Sequence, residues 1–94
     1  MTSAPEDEDP RPLEAAALHY DREAEGTAPR VVASGRGEVA KRIIELAKEN
    51  GIPIRSEPEL AAALAQLKID AEIPEDLYVA VAETLVWAYR LDKR

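Results

Sequence analysis

Apolar and polar positions along this chain change rhythm from segment to segment, and each rhythm predicts an element. Residues 38–50 repeat with a helical period of about 100° per residue. Val39, Ala40, Ile43, Leu46 and Ala47 share one arc, opposite Glu38, Lys41, Arg42, Glu45, Lys48 and Glu49. Glu38 and Arg42 stand four apart in the favourable order, worth about 0.3 kcal/mol. Asn50-Gly51 closes this helix, with Gly51 suited to the left-handed position after the cap. Upstream, Arg30-Val31-Val32-Ala33-Ser34 is β-branched and bounded by Pro29 and Gly35, which predicts a strand. Downstream, Ile52-Pro53-Ile54-Arg55 reads as a short strand. Pro53 cannot donate to a ladder, so it belongs at a strand start or on an edge. Strand, helix and strand at this spacing predict a right-handed βαβ unit with two parallel strands.

Ser56-Glu57-Pro58-Glu59 combines an N-cap residue, an early Pro and a Glu three residues on, which predicts a second helix start. Leu60, Leu64 and Leu67 supply its buried stripe as far as Lys68. Ile73-Pro74-Glu75-Asp76 then opens a last helix over about 75–90, with Ile73 as a hydrophobic staple. That helix is apolar on too many sides for an ordinary surface helix. Leu77, Val81, Leu85 and Ala88 form one face, Tyr78, Ala82 and Tyr89 widen it, and Val79 and Val86 lie beyond. Trp87 sits nearly opposite. Either the helix is sandwiched between layers or part of it is an exposed docking surface. Glu14 to Tyr20 has two readings: Glu14-Ala15-Ala16-Ala17-Leu18 favours helix by propensity, while Leu18 and Tyr20 alternating with Ala17 and His19 suit a strand. Residues 21–29 form a loop ending in Gly26-Thr27-Ala28-Pro29. The pattern as a whole predicts an α/β (α+β-like) domain, a small central sheet of about three strands packed by three helices.

Composition narrows what such a domain does. The chain has 94 residues, 19 acidic against 12 basic, no Cys, no Phe, one His and one Trp. A single domain of this size buries only about 60–65% of its unfolded surface, so its stability margin is thin. The core must be aliphatic. Absent cysteines exclude disulfide frameworks, thiol catalysis and thiolate metal sites, and fit a reducing compartment. Net acidity argues against nucleic-acid binding, which needs clustered Lys and Arg. Residues 1–12 hold four acids, one base and three of the seven prolines, which predicts a disordered acidic tail ahead of a domain over 13–94. This tail has no apolar stretch of the signal-peptide kind. The longest uncharged run, Leu60 to Leu67, is far too short to span a membrane.

Little in the sequence points to chemistry. His19 stands alone, with no nucleophile motif to serve. Ser34-Gly35-Arg36-Gly37 opens a helix where an anion could sit, yet it lacks the P-loop ending and the dinucleotide spacing. Asn50, the one Asn, is explained by capping. No catalytic, cofactor-binding or metal-ligating set is expected, and no enzyme.

An ordered series of motifs carries a resemblance. Tyr20-Asp21, Ala28-Pro29-Arg30-Val31-Val32-Ala33-Ser34-Gly35, Ala40-Lys41-Arg42-Ile43 and Ile52-Pro53-Ile54 come first. Leu60-Ala61 with Ala63-Leu64, Ile73-Pro74-Glu75-Asp76-Leu77-Tyr78, Val81-Ala82-Glu83 and Trp87-Ala88-Tyr89-Arg90-Leu91 follow. Together, over residues 14–91, these resemble the cytoplasmic C-terminal domain of the FlhB/YscU family, the export switch proteins of flagellar and virulence type III secretion. The resemblance implies that 14–20 is a strand. It implies a cytoplasmic interaction module, recruited to the membrane-bound export apparatus, that helps recognise or switch substrates. Its partners would be export gate components, export substrates or a full-length FlhB paralogue.

Family members have a multi-span membrane domain, and an Asn-Pro-Thr-His motif at which the chain cuts itself. Pro10-Arg11-Pro12-Leu13 stands at that motif, so no self-cleavage is expected, and the chain resembles a stand-alone version of the cleaved fragment. The strand and helix that precede the motif in the family have no counterpart here, so a smaller sheet, or an edge open to a partner's strand, is expected. The family's substrate-docking patch falls on Ala28, Pro29, Ala82 and Leu85. A second candidate contact patch comprises Val79, Val86 and Trp87. The alternative function is a structural dimer or assembly subunit that uses this patch and touches no substrate.

Overall fold

The computed structural model describes residues 13–21, 23, 26 and 28–92. The expected disordered tail, 1–12, and the final two residues of the expected 13–94 domain lie outside the described residues. The sheet has two strands, β1 (Glu14–His19) and β2 (Arg30–Arg36), paired antiparallel from Glu14 opposite Arg36 to His19 opposite Arg30. Ala17 pairs with Ala33 and Leu18 with Val31, so Val32 is an extra residue on β2 that bulges the ladder. The alanine run of β1 is therefore strand despite its helix propensity. Its pairing with β2 and its burial override the local preference.

Paired residues share a face, so this register sorts the two sides of the sheet. Ala16, Leu18 and Val31 point to one side, where Val31, Leu64, Ile73 and Val81 form the core. Ala15, Ala17, Ala33 and Gly35 point to the other, beneath helix α1 (Glu38–Glu49). A Cβ at Gly35 would lie 2.8 Å from Val39 Cβ, so only glycine lets α1 come this close. Ala40 is fully buried at the same contact.

The inward face of α1 is Ala40, Ile43, Ile44 and Ala47, while Val39 and Leu46 of the expected arc are exposed. Arg42 pairs with Glu45 at 3.3 Å and with Glu49 at 4.0 Å, and Glu38 pairs with Lys41 instead. The helix ends as expected at Asn50-Gly51, and the bonding is complete. Ile52 N–H donates to Ala47 O at 2.9 Å, Gly51 N–H to Lys48 O at 3.3 Å, and Gly51 has φ 68°.

That ending explains why the expected third strand does not form. Residues 52–57 are irregular, the sheet is purely antiparallel, and there is no βαβ unit among the described residues. Ile52 has spent its N–H on the helix end and Pro53 has none, so the segment begins with two positions that cannot donate to a ladder. It runs instead to the last helix, where Arg55 is held against Glu83 and Trp87. The mixed α/β class with three helices stands.

Helix α2 (Pro58–Ala65) is shorter than expected and starts one residue later. Glu57 is its N-cap position, and Ser56 caps nothing. Asp70, in the left-handed region at φ 70°, turns the chain so that its N–H donates to Val31 O at 2.8 Å. An isolated antiparallel bridge between Glu72 and Arg30 follows. These two links engage the start of β2 on its outer side and deliver Ile73, 3% exposed, into the core cluster on which Leu77 also packs. A one-turn 3-10 helix (Glu75–Leu77) then leads into α3 (Tyr78–Asp92). Val81 is buried against the core, and Leu77 and Leu85 pack beside it.

Candidate partner-docking site

Helix α3 has two unlike sides. Leu77, Val81 and Leu85 are spaced to meet the core. On the opposite side, Val79 is 73% exposed and Val86 48% exposed. They are seven residues apart, so they lie on one line along the helix. Ala82, also exposed, falls between them. Glu83 and Arg90 flank this apolar stripe, and both are exposed.

The sequence-derived site residues therefore separate. Ala82 joins Val79 and Val86 on the outer stripe. Leu85 is half-buried and packs against the core cluster. Ala28 and Pro29 are half-buried just ahead of β2, whose Val31 belongs to the cluster that Leu85 touches. Trp87 is half-buried and engaged within the molecule. The Arg55 guanidinium sits 5.8 Å from its ring centroid, a cation–π contact.

Arg55 is itself fixed from two more sides. Its Nε lies 3.1 Å from Glu57 Oε2, and its Nη1 donates to Glu83 O at 3.3 Å. The Thr84 hydroxyl donates to the same Glu57 oxygen at 2.9 Å. This network ties the irregular 52–57 segment to α3, and it was not read from the sequence. Its only local signal is an Arg-x-Glu pair beside a Pro, which is common.

The other candidate positions are placed as follows. His19 is exposed at the end of β1. The N–H of Gly37, the last residue of the Ser34–Gly37 turn, is taken by Leu13 O at 2.8 Å. Among the described residues, no three His, Cys, Asp or Glu side chains come together to hold a metal, and no polar side chain is buried. No helix among them is long and apolar enough to cross a membrane. What this surface presents is apolar contact area edged by charge.

Comparison with known proteins agrees with the fold. The model described as the FlhB HrpN YscU SpaS family matches residues 13–88. The chain is 47% identical over 79 residues to YlqH of Bacillus subtilis (strain 168), covering 84% of each protein. It is also 47% identical over 78 residues to the flagellar biosynthetic protein FlhB of Escherichia coli (strain K12). That match covers 82% of this chain but only 20% of FlhB. Among solved structures, the cytoplasmic domain of FlhB from Shewanella putrefaciens superposes with a TM-score of 0.73 at 42% identity. The match covers 81% of this chain and 63% of that one.

Proposed function

Because the chain belongs to the FlhB HrpN YscU SpaS family, we propose that it is a protein-interaction module of the flagellar or type III export apparatus. In this reading it works in the cytoplasm, docks on the membrane-bound export gate, and helps recognise substrates or switch between them. The observation that carries the reading is the exposed Val79–Ala82–Val86 stripe on a domain whose residues 13–88 match the family model. Such a stripe leaves apolar area in water unless a partner covers it. Ala82 belongs to the stripe directly. Leu85 lies beneath it, packed on the core cluster, and Ala28 and Pro29 lie half-buried just ahead of β2. The role is binding rather than catalysis.

Self-cleavage is not part of this function. The positions that match the cleavage motif, Pro10-Arg11-Pro12-Leu13, contain no Asn whose side chain could cyclise. Intact-mass measurement of the purified chain should therefore give one unbroken species of 10.3 kDa over days at neutral pH.

The test of the role is direct. Purified chain is titrated against the cytoplasmic portions of the export gate proteins from its own host and against a full-length FlhB paralogue. In parallel the gene is deleted and swimming is scored. Binding that is lost with Ala82→Asp supports the reading. No binding to any of them, together with unchanged export and motility, would falsify it. A second reading rests on Val79 and Val86, whose exposure suits a self-contact: a subunit that pairs with its own copy. Sedimentation equilibrium separates the two, since a monomer at high concentration leaves the stripe to other partners.

A further inference from the structure

A groove runs between α2 and the start of α3, away from the outer stripe. Its two halves are shallow and open to solvent, and they adjoin at Glu59 and Leu77, which line both. The floor is Leu60, Leu67 and Leu77, which pack from above on the core cluster and are only half-buried. Ala63 and Ala80 line the sides without filling them. The groove is thus the outer layer of the core left partly open to water.

We propose that this groove docks a short, basic, amphipathic helix from a partner protein. Charge selects the occupant. Glu59 and Asp76 stand on the rim, with Glu75 next to Asp76, and no Lys or Arg lines either half. These three acids are exposed, and none makes an ion pair among the described residues. Glu57, at one end, is already held by Arg55 and Thr84. An acidic occupant would meet unpaired carboxylates on both rims, whereas Lys or Arg side chains would neutralise them.

Backbone bonding selects the conformation. Neither wall contains a strand, and past its first turn α2 bonds its own backbone, so the groove offers no ladder to an extended strand. An occupant must bring its own backbone hydrogen bonds, which a helix does. Pro58 to Gln66 spans about 12 Å at 1.5 Å per residue, room for roughly two turns. Two or three apolar side chains spaced three and four apart would reach Leu60, Leu67 and Leu77.

This proposal does not depend on the export role, and its test is separate. The uniformly 15N-labelled full chain is titrated with a synthetic peptide of about 14 residues, Leu at helical spacing and Lys elsewhere, and with its Glu-for-Lys counterpart. The Lys peptide should shift the amide resonances of Leu60, Ala63, Leu77 and Ala80 with a Kd below about 1 mM. Its affinity should fall several-fold as salt rises from about 0.05 to 0.3 M. The double variant Glu59→Lys with Asp76→Lys, changed only at exposed positions, should bind roughly ten-fold more weakly, with its spectrum showing an intact fold. Ala82→Asp should bind the Lys peptide as the parent does. Equal binding of the Glu peptide, shifts centred on Val79, Ala82 and Val86, or no binding by 1 mM would each overturn the proposal.

Discussion

The two faces of this small sheet are packed by opposite means. Toward α1 the sheet presents Ala15, Ala17, Ala33 and Gly35, side chains that barely rise above the backbone. Toward α2 and α3 it presents Ala16, Leu18 and Val31, and long aliphatic side chains fill the space between. Close approach holds the first face together, and filled volume holds the second. The two faces should therefore fail in opposite ways. The first should fail when a side chain is enlarged, the second when one is removed.

The largest effect is expected on the volume-packed face. Leu64→Ala removes a side chain that is 3% exposed at the centre of the core. It should lower stability by about 2–5 kcal/mol, enough to unfold much of a domain this small. Urea denaturation followed by far-ultraviolet circular dichroism would read it. A loss under about 1 kcal/mol would place the core elsewhere.

Next comes the close-approach face, where the damaging change is an addition. Gly35→Ala should destabilise by about 1–3 kcal/mol, because the new methyl meets Val39. The comparison sharpens with a second substitution. Val39 is 56% exposed, so Val39→Ala alone should change little, yet in the Gly35→Ala background it should recover part of the loss. If the two effects simply add, close approach is not what the glycine provides.

A smaller effect tests how the 52–57 segment is attached. Arg55→Ala removes the stacking on Trp87 and the bonds to Glu57 and Glu83. The pair is partly exposed, so about 0.5–1 kcal/mol is expected. Trp87 fluorescence should shift to the red as the ring meets more water. An unchanged spectrum would mean that Arg55 does not cover the indole in solution.

The smallest effect is expected on the outer stripe of α3. Val79→Ser should alter stability by no more than about 0.5 kcal/mol, since Val79 packs against nothing substantial. Any loss of function from it should therefore appear in partner binding, measured by titration calorimetry, with the melting temperature unmoved.

What the sequence determined by itself was local, and it was determined where neighbours along the chain supply both the pattern and the partner. The helix over 38–50 and its Asn50-Gly51 ending were legible because the 3.6-residue period and the capping bonds involve residues only a few positions apart. The long apolar last helix was legible in the same way, as was the likeness to an export-switch domain. Other features depended on distant residues. β1 became a strand because β2 lies beside it, although alanine-rich sequence alone leans to helix. Ile52–Arg55 lost its place in the sheet because the end of α1 took the first N–H and Pro53 had none to give. The docking residues divided between core and surface because the direction of each α3 side chain follows from where the core lies. The groove beside α2 has no linear signature, since its walls meet only after the chain has turned at Asp70. Tertiary structure decided these because hydrogen-bond partners and buried volume are shared across the chain, and a local pattern specifies only one side of each contact.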